Sequence, residues 1–228
     1  MDYVSRQPIA AARDSVNDAL WVTYRWMTLG LATTGLVALG VAHSPDAIEF
    51  LLGNRVLFYA LLFGQLGLVV AFSSLAMRVS TVAAALMFFG YAALTGVTFS
   101  TLFVIYTASS IAATFFVTAG AFGGLSLFGA VTKRDLSGVG RFGMFVLIGV
   151  ILASLVNIFL HSSGLELLIT LVGVVLFAGL TAYDTQRLKA LFRNGAGANL
   201  PLVGALTLYL DFINMFLFLL RLVGRRRN

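Results

Sequence analysis

The chain has 228 residues and a net charge of +6, with 60% hydrophobic and only 11% charged residues. Soluble domains carry about 45–50% apolar and roughly 25% charged residues, so there is too little polar surface here to cover a water-exposed globule. That excludes a soluble catalytic domain, and the absence of cysteine removes disulfides, thiol catalysis and Cys-ligated zinc.

The composition therefore predicts an all-α, polytopic membrane helix bundle. Residues 1–25 mix Asp2, Asp14 and Asp18 with Arg6, Arg13 and Arg25, unlike the short basic start and small-residue cleavage site of a signal peptide. They read as a cytoplasmic amino-terminal segment ahead of a first span that is retained. A crossing helix needs about 20 mostly apolar residues. Trp26–Ala42 and Val56–Met77 meet or approach that length, with Trp21 and Trp26 bracketing the first interface. Between Arg78 and Lys133 lie 54 uncharged residues, which the polar stretch Tyr106, Thr107, Ser109 and Ser110 divides into two spans. Phe142–Leu160, Leu167–Tyr183 and Leu200–Leu220 complete seven spans in a transmembrane domain over residues 26–221, before a basic tail at 222–228. The longest predicted loops are His43–Arg55 and Asp184–Asn199, the second holding the helix stop Asn194-Gly195-Ala196-Gly197.

With the amino terminus in the cytoplasm, ten Lys and Arg residues fall inside and five outside. Four of those five, Arg221, Arg225, Arg226 and Arg227, lie at the carboxyl end. If the last segment dipped in and returned, the count would be fourteen against one. Nothing breaks Leu200–Leu220 midway, however, and its one proline, Pro201, stands at the start, where helices tolerate it. The reading is seven crossings. The basic residues lie in loops and tails rather than on one continuous face, which argues against nucleic acid as a partner.

Small residues at four-residue spacing, Ala92, Gly96 and Ser100 and then Gly120 and Gly124, predict close helix packing within the bundle, with a dimer interface as the alternative. Gly138, Gly140 and Gly143 match Gly-x-Gly-x-x-Gly but follow a membrane helix rather than a strand, so no dinucleotide site is expected. His43 and His161 read as interfacial residues, and Asp46, Glu49, Asp135 and Glu166 as solvated loop charges. Gln65 and Asn157 either line a path or bridge helices. The informative acids are Asp211 and Asp184. Asp211 lies roughly 15 Å into an otherwise uncharged span, where an acid is costly and marks a functional site by default. A satisfied structural hydrogen bond is the competing reading. Asn214 and Thr207 share its helix face as candidate partners. Asp184 follows Tyr183 at the end of the sixth span. It reads either as a loop charge paired with Arg187 or as an acid approaching Asp211, in which case the two titrate as a unit. Arg78 closes the second span, as a positive anchor or as a neutralising partner for one acid.

Four stretches carry a resemblance: Tyr91-Ala92-Ala93-Leu94-Thr95-Gly96-Val97-Thr98, Thr132-Lys133-Arg134-Asp135-Leu136-Ser137, Ala182-Tyr183-Asp184-Thr185-Gln186, and Leu206-Thr207-Leu208-Tyr209-Leu210-Asp211-Phe212-Ile213-Asn214. Together they make the chain similar to the bacterial branch of the Bax inhibitor-1 (transmembrane Bax inhibitor motif) family over nearly its whole length. The resemblance implies seven helices with the last one central, and a bacterial inner-membrane location. It also implies a pH-sensitive calcium leak gated by a proton-sharing pair, here Asp184 and Asp211, with Arg78 as its latch; Asn214 and Thr207 on the helix face of Asp211, and Tyr183 beside Asp184, are the supporting polar residues on the reading of the sequence itself. The same two acids would bind Ca²⁺ transiently as transported ion, with no tightly bound cofactor and no catalytic residue. An acid that some relatives carry in the second span has no evident counterpart, since Gln65 and Gly67 occupy that region. Other relatives restrain a membrane protease, so a regulatory binding protein is the alternative. A proton-coupled exchanger is a third reading. An intramembrane aspartyl protease fits less well, because Leu208-Tyr209-Leu210-Asp211 stands where such enzymes carry Gly-x-Gly-Asp.

Overall fold

The structure, a computed structural model, describes residues 7–195 and 197–227, with side chains from Ser15 onward. The charges read on Asp2, Arg6, Arg13 and Asp14, Ala196 of the helix stop, and Asn228 of the tail lie outside the described residues and side chains. The described chain is helical throughout: α1 (Gln7–Ala42), α2 (Pro45–Gly53), α3 (Arg55–Leu75), α4 (Thr81–Phe99), α5 (Leu102–Ile105), α6 (Ala108–Val131), α7 (Ser137–Leu160), α8 (Ser163–Arg193) and α9 (Leu200–Val223). Seven of these are long and apolar enough to cross a bilayer. Large apolar side chains stay exposed along them, Phe159 at 84% and Val56 at 79%, as a surface facing lipid requires.

Local chemistry sets the breaks. Ser44 caps α2, its hydroxyl accepting from Ala47 N, with Pro45 in the first turn. Asn54 ends α2 and caps α3 through Leu57 N. Ser80 caps α4 and Thr107 caps α6 in the same way. His161 stops α7 in the left-handed region at φ 49°, and Asn157 Oδ1 accepts from Ser162 N at 3.0 Å. Asn157 therefore finishes its own helix and does not bridge two. Gln65 does bridge, donating to Thr98 Oγ1 at 3.3 Å.

Three predicted boundaries are corrected. The first helix is already formed well before Trp26, with Val16 and Leu20 buried. The loop after His43 contains α2. The sixth spanning helix does not end at Tyr183 but runs on to Arg193, burying Leu188 beyond Asp184. Charge ends an apolar run, but it does not end a helix whose next turns still present a buried face.

The described chain divides into two compact units. The first takes the chain up to Ile105 with Leu188–Tyr209. In it α1 packs on α4, where a side chain at Gly96 would strike the Thr34 carbonyl and Val37. The predicted Ala92, Gly96 and Ser100 stripe is thus a packing face, buried throughout. Thr34 Oγ1 lies 2.9 Å from Ala92 O and 2.7 Å from the hydroxyl of fully buried Tyr209. Asn199, just ahead of α9, donates to Ala76 O and Val79 O at 2.7 and 2.8 Å and accepts from Thr81 Oγ1 at 2.7 Å. One buried amide so fastens the start of α9 to the turn between α3 and α4.

The second unit takes Tyr106–Arg187 with the chain from Leu210 onward. Here α8 is the hub. Gly129 of α6 meets the backbone of Ala182, while Gly140 and Gly143 of α7 seat Tyr183 and Leu180. Gly173 seats Phe218 of α9. The last two glycines of the Gly-x-Gly-x-x-Gly pattern are accordingly helix-packing residues, while Gly138 faces open space. Gly120 and Gly124 are exposed, with no atom in reach of an added Cβ, so that predicted packing stripe is corrected: α6 turns Thr114, Thr118, Phe122, Ser126 and Gly129 inward instead. Within this unit the last segment continues unbroken as helix from Leu210 to Val223. Asp211 neighbours Asp184, near the end where Leu136 N bonds Gln186 Oε1, while the tail meets the opposite loop. There Thr107 N donates to Arg225 O at 3.1 Å and Arg225 N to Ser110 Oγ at 2.9 Å. A segment that dipped and returned could not reach that loop, so α9 crosses. It is also the most buried candidate span, 61% of its apolar window against 39% at most elsewhere among the described residues.

Candidate functional site: a buried carboxyl pair

Asp184 and Asp211 are brought together. Asp184 is 8% exposed and Asp211 5%, and their carboxyl groups face each other within hydrogen-bonding range. Each is placed by packing on its own helix. On α8, Ala182 lies against Gly129 and the Tyr183 ring over Gly140, so the next residue cannot swing outward. On α9, Phe212 is fixed edge-on to Phe115 and Phe122, at 5.4 and 5.5 Å between ring centres, which sets the neighbouring Asp211.

The surroundings offer these acids little. Arg187, one turn along α8 and exposed, acts on the charge of Asp184. Asp211 Oδ2 is buried with no hydrogen-bond partner. The partners expected for it bond elsewhere: Asn214 Nδ2 donates to Leu210 O at 2.8 Å and Thr207 Oγ1 to Val203 O at 3.1 Å. In an apolar helix the carbonyl four residues back is the acceptor within easiest reach, and it outcompetes a side chain at i+3 or i−4. Tyr183 is half-buried on its glycine seat. Arg78 lies in the exposed turn after α3, in the first unit, between the two carbonyls that Asn199 holds.

What the sequence did not disclose is how two of its distinctive stretches meet. Gln186 Nε2 donates to Arg134 O at 2.8 Å while its Oε1 accepts from Leu136 N at 2.9 Å, so Thr132–Ser137 is tied to α8 just past Asp184. In that loop Ser137 N and Oγ bond the Asp135 carboxylate at 2.9 and 2.6 Å, holding this exposed acid below its ordinary value. Among the described residues, no group of three or more His, Cys, Asp or Glu gathers as a metal site.

Seven crossing helices and little else define a multi-pass α-helical membrane protein. A family described as inhibitor of apoptosis-promoting Bax1 matches residues 16–228, and the chain belongs to this Bax inhibitor-1 family. Its relatives include the inner membrane protein YbhL of Escherichia coli, 50% identical over 210 residues that cover 90% of each chain. A protein of Deinococcus radiodurans is 45% identical over 219 residues, 94% of this chain and 93% of its own. One from Borreliella burgdorferi is 41% identical over 217 residues, 93% and 94%.

Proposed function

We propose that the protein is a pH-sensitive calcium leak of a bacterial inner membrane, gated by Asp184 and Asp211. The observation that carries this reading is the pair itself, two carboxyls face to face in a buried site whose second acid has an oxygen with no protein donor. A hydrogen bond between two carboxyls exists only while one of them holds a proton. While it does, α8 and α9 are fastened side chain to side chain and the path is shut. When the proton leaves, two negative charges stand together in a poorly solvated site and repel, and the helices part. The freed carboxylates then present hard oxygen atoms of the kind Ca²⁺ prefers. With two acids only, binding is weak enough for the ion to leave, which suits a leak. In this reading the protein is not an enzyme, and Ca²⁺ is cargo. The inner-membrane location rests on the likeness to YbhL.

The test is Ca²⁺ influx into dye-loaded proteoliposomes containing the full chain. Flux well above that of empty liposomes, rising as the medium becomes less acidic, is expected. Folded protein that gives no flux at any pH, yet co-purifies with a membrane protease and alters its activity, would replace the leak with a regulatory role.

A further inference from the structure

Among the described residues two buried side-chain oxygens lack a hydrogen-bond partner: Asp211 Oδ2 and Ser126 Oγ. The second is unusual for its setting. A buried helical hydroxyl normally escapes its desolvation cost by donating to the carbonyl one turn back. Thr118, Ser154, Thr170 and Thr181 in the same unit all do so. Ser126, 5% exposed, forgoes that bond.

Its position on α6 indicates why. Ser126 follows Phe122 by four residues and precedes Gly129 by three, on the one buried stripe of the helix. Phe122 touches Phe212, the neighbour of Asp211, and Gly129 touches Ala182, two residues before Asp184. Ser126 thus stands at the level of the acid pair, on the third helix packed around it. The charged groups at this level are Asp184 and the exposed Arg187 on α8, Asp211 on α9 and the exposed Arg141 on α7, whereas α6 carries none. Buried polar atoms that lack a protein partner are satisfied by a small guest when two or more converge.

We infer that Ser126 is the third oxygen group of the Asp184–Asp211 site, sharing with Asp211 Oδ2 a small oxygen-coordinated guest, either water or the Ca²⁺ in transit. This deepens the proposed gating site and rests on that reading only for the Ca²⁺ alternative.

The experiment is pH-difference infrared spectroscopy of the full chain in proteoliposomes, following the protonated-carboxyl C=O band that Asp211→Asn removes. Ser126→Ala is expected to move that band to higher frequency, because a carbonyl that loses a hydrogen bond stiffens. Ser126→Thr, which keeps the hydroxyl, is expected to leave it at the wild-type position. If the displacement occurs with calcium chelated, the guest is water; if it is absent there and Ser126→Ala instead alters the displacement of the ionised-carboxylate bands that added Ca²⁺ produces at higher pH, the guest is the ion. If Ser126→Ala changes neither the protonated-carboxyl band nor the carboxylate response to Ca²⁺, or if Ser126→Thr changes them equally, the inference is overturned. A displaced band in protein that conducts no Ca²⁺ leaves Ser126 in the site and removes the leak instead.

Discussion

A single carboxyl separates the acids that could sense pH from those that could not. Asp135 belongs to the same stretch of distinctive sequence as its neighbours, yet it is fully exposed and bonded by Ser137 N and Oγ. Its carboxyl is held below the ordinary 3.8, so its stabilising bonds are present above that value and are lost only as pH falls below it. Asp135→Asn is therefore predicted to leave the pH midpoint of Ca²⁺ flux unchanged between about pH 6 and 8. A displaced midpoint would give this loop a sensing role that its geometry does not support. Asp211 was legible as the odd residue because a charge inside a long apolar run stands out in any sequence. The bonds of Asn214 and Thr207 were not legible, since spacing shows which residues share a face but not which acceptor a side chain prefers. Ser126 was invisible for the same reason: a serine in an apolar helix looks ordinary until its missing bond is seen.

Helices meet here through glycines, and each glycine makes a separate prediction. A methyl at Gly129 would run into the backbone of Ala182, which cannot yield without moving α8. Gly129→Ala should cost about 1–3 kcal/mol, read as a lower midpoint of thermal unfolding in detergent. Gly120→Ala, with open space around it, should be neutral or stabilise by up to about 1 kcal/mol through helix propensity. If both variants melted alike, close packing at Gly129 would be refuted. The sequence gives the same four-residue spacing to the stripe through Gly96, which does pack, and to Gly120 and Gly124, which do not. Periodicity names candidate faces, and only the neighbouring helix decides which one is used. The overrun of α8 through Asp184 has a similar origin. Hydropathy marks where an apolar run stops, whereas the helix continues while residues such as Leu188 still find a buried surface.

At the scale of the whole molecule, seven crossings were readable from composition and run length, because the bilayer fixes the length of every span. Charge counting left the last segment in question, and the bonds of Arg225 to Thr107 and Ser110 answer it. A chain without cysteine makes the check simple. Lys133→Cys and Arg226→Cys, each a lone thiol, are predicted to label from opposite faces of the membrane with an impermeant maleimide. Labelling from the same face would restore the returning segment. The proposed pH response stands on the carboxyl pair as sensor, and the most direct measurement compares Ca²⁺ flux of wild type and Asp211→Asn in proteoliposomes from about pH 6 to 8. Wild-type flux that rises with pH, beside a variant whose flux is flat across the range, is the predicted result. A variant that keeps the wild-type pH response would contradict it, because a neutral amide cannot share or release the proton on which the gate depends.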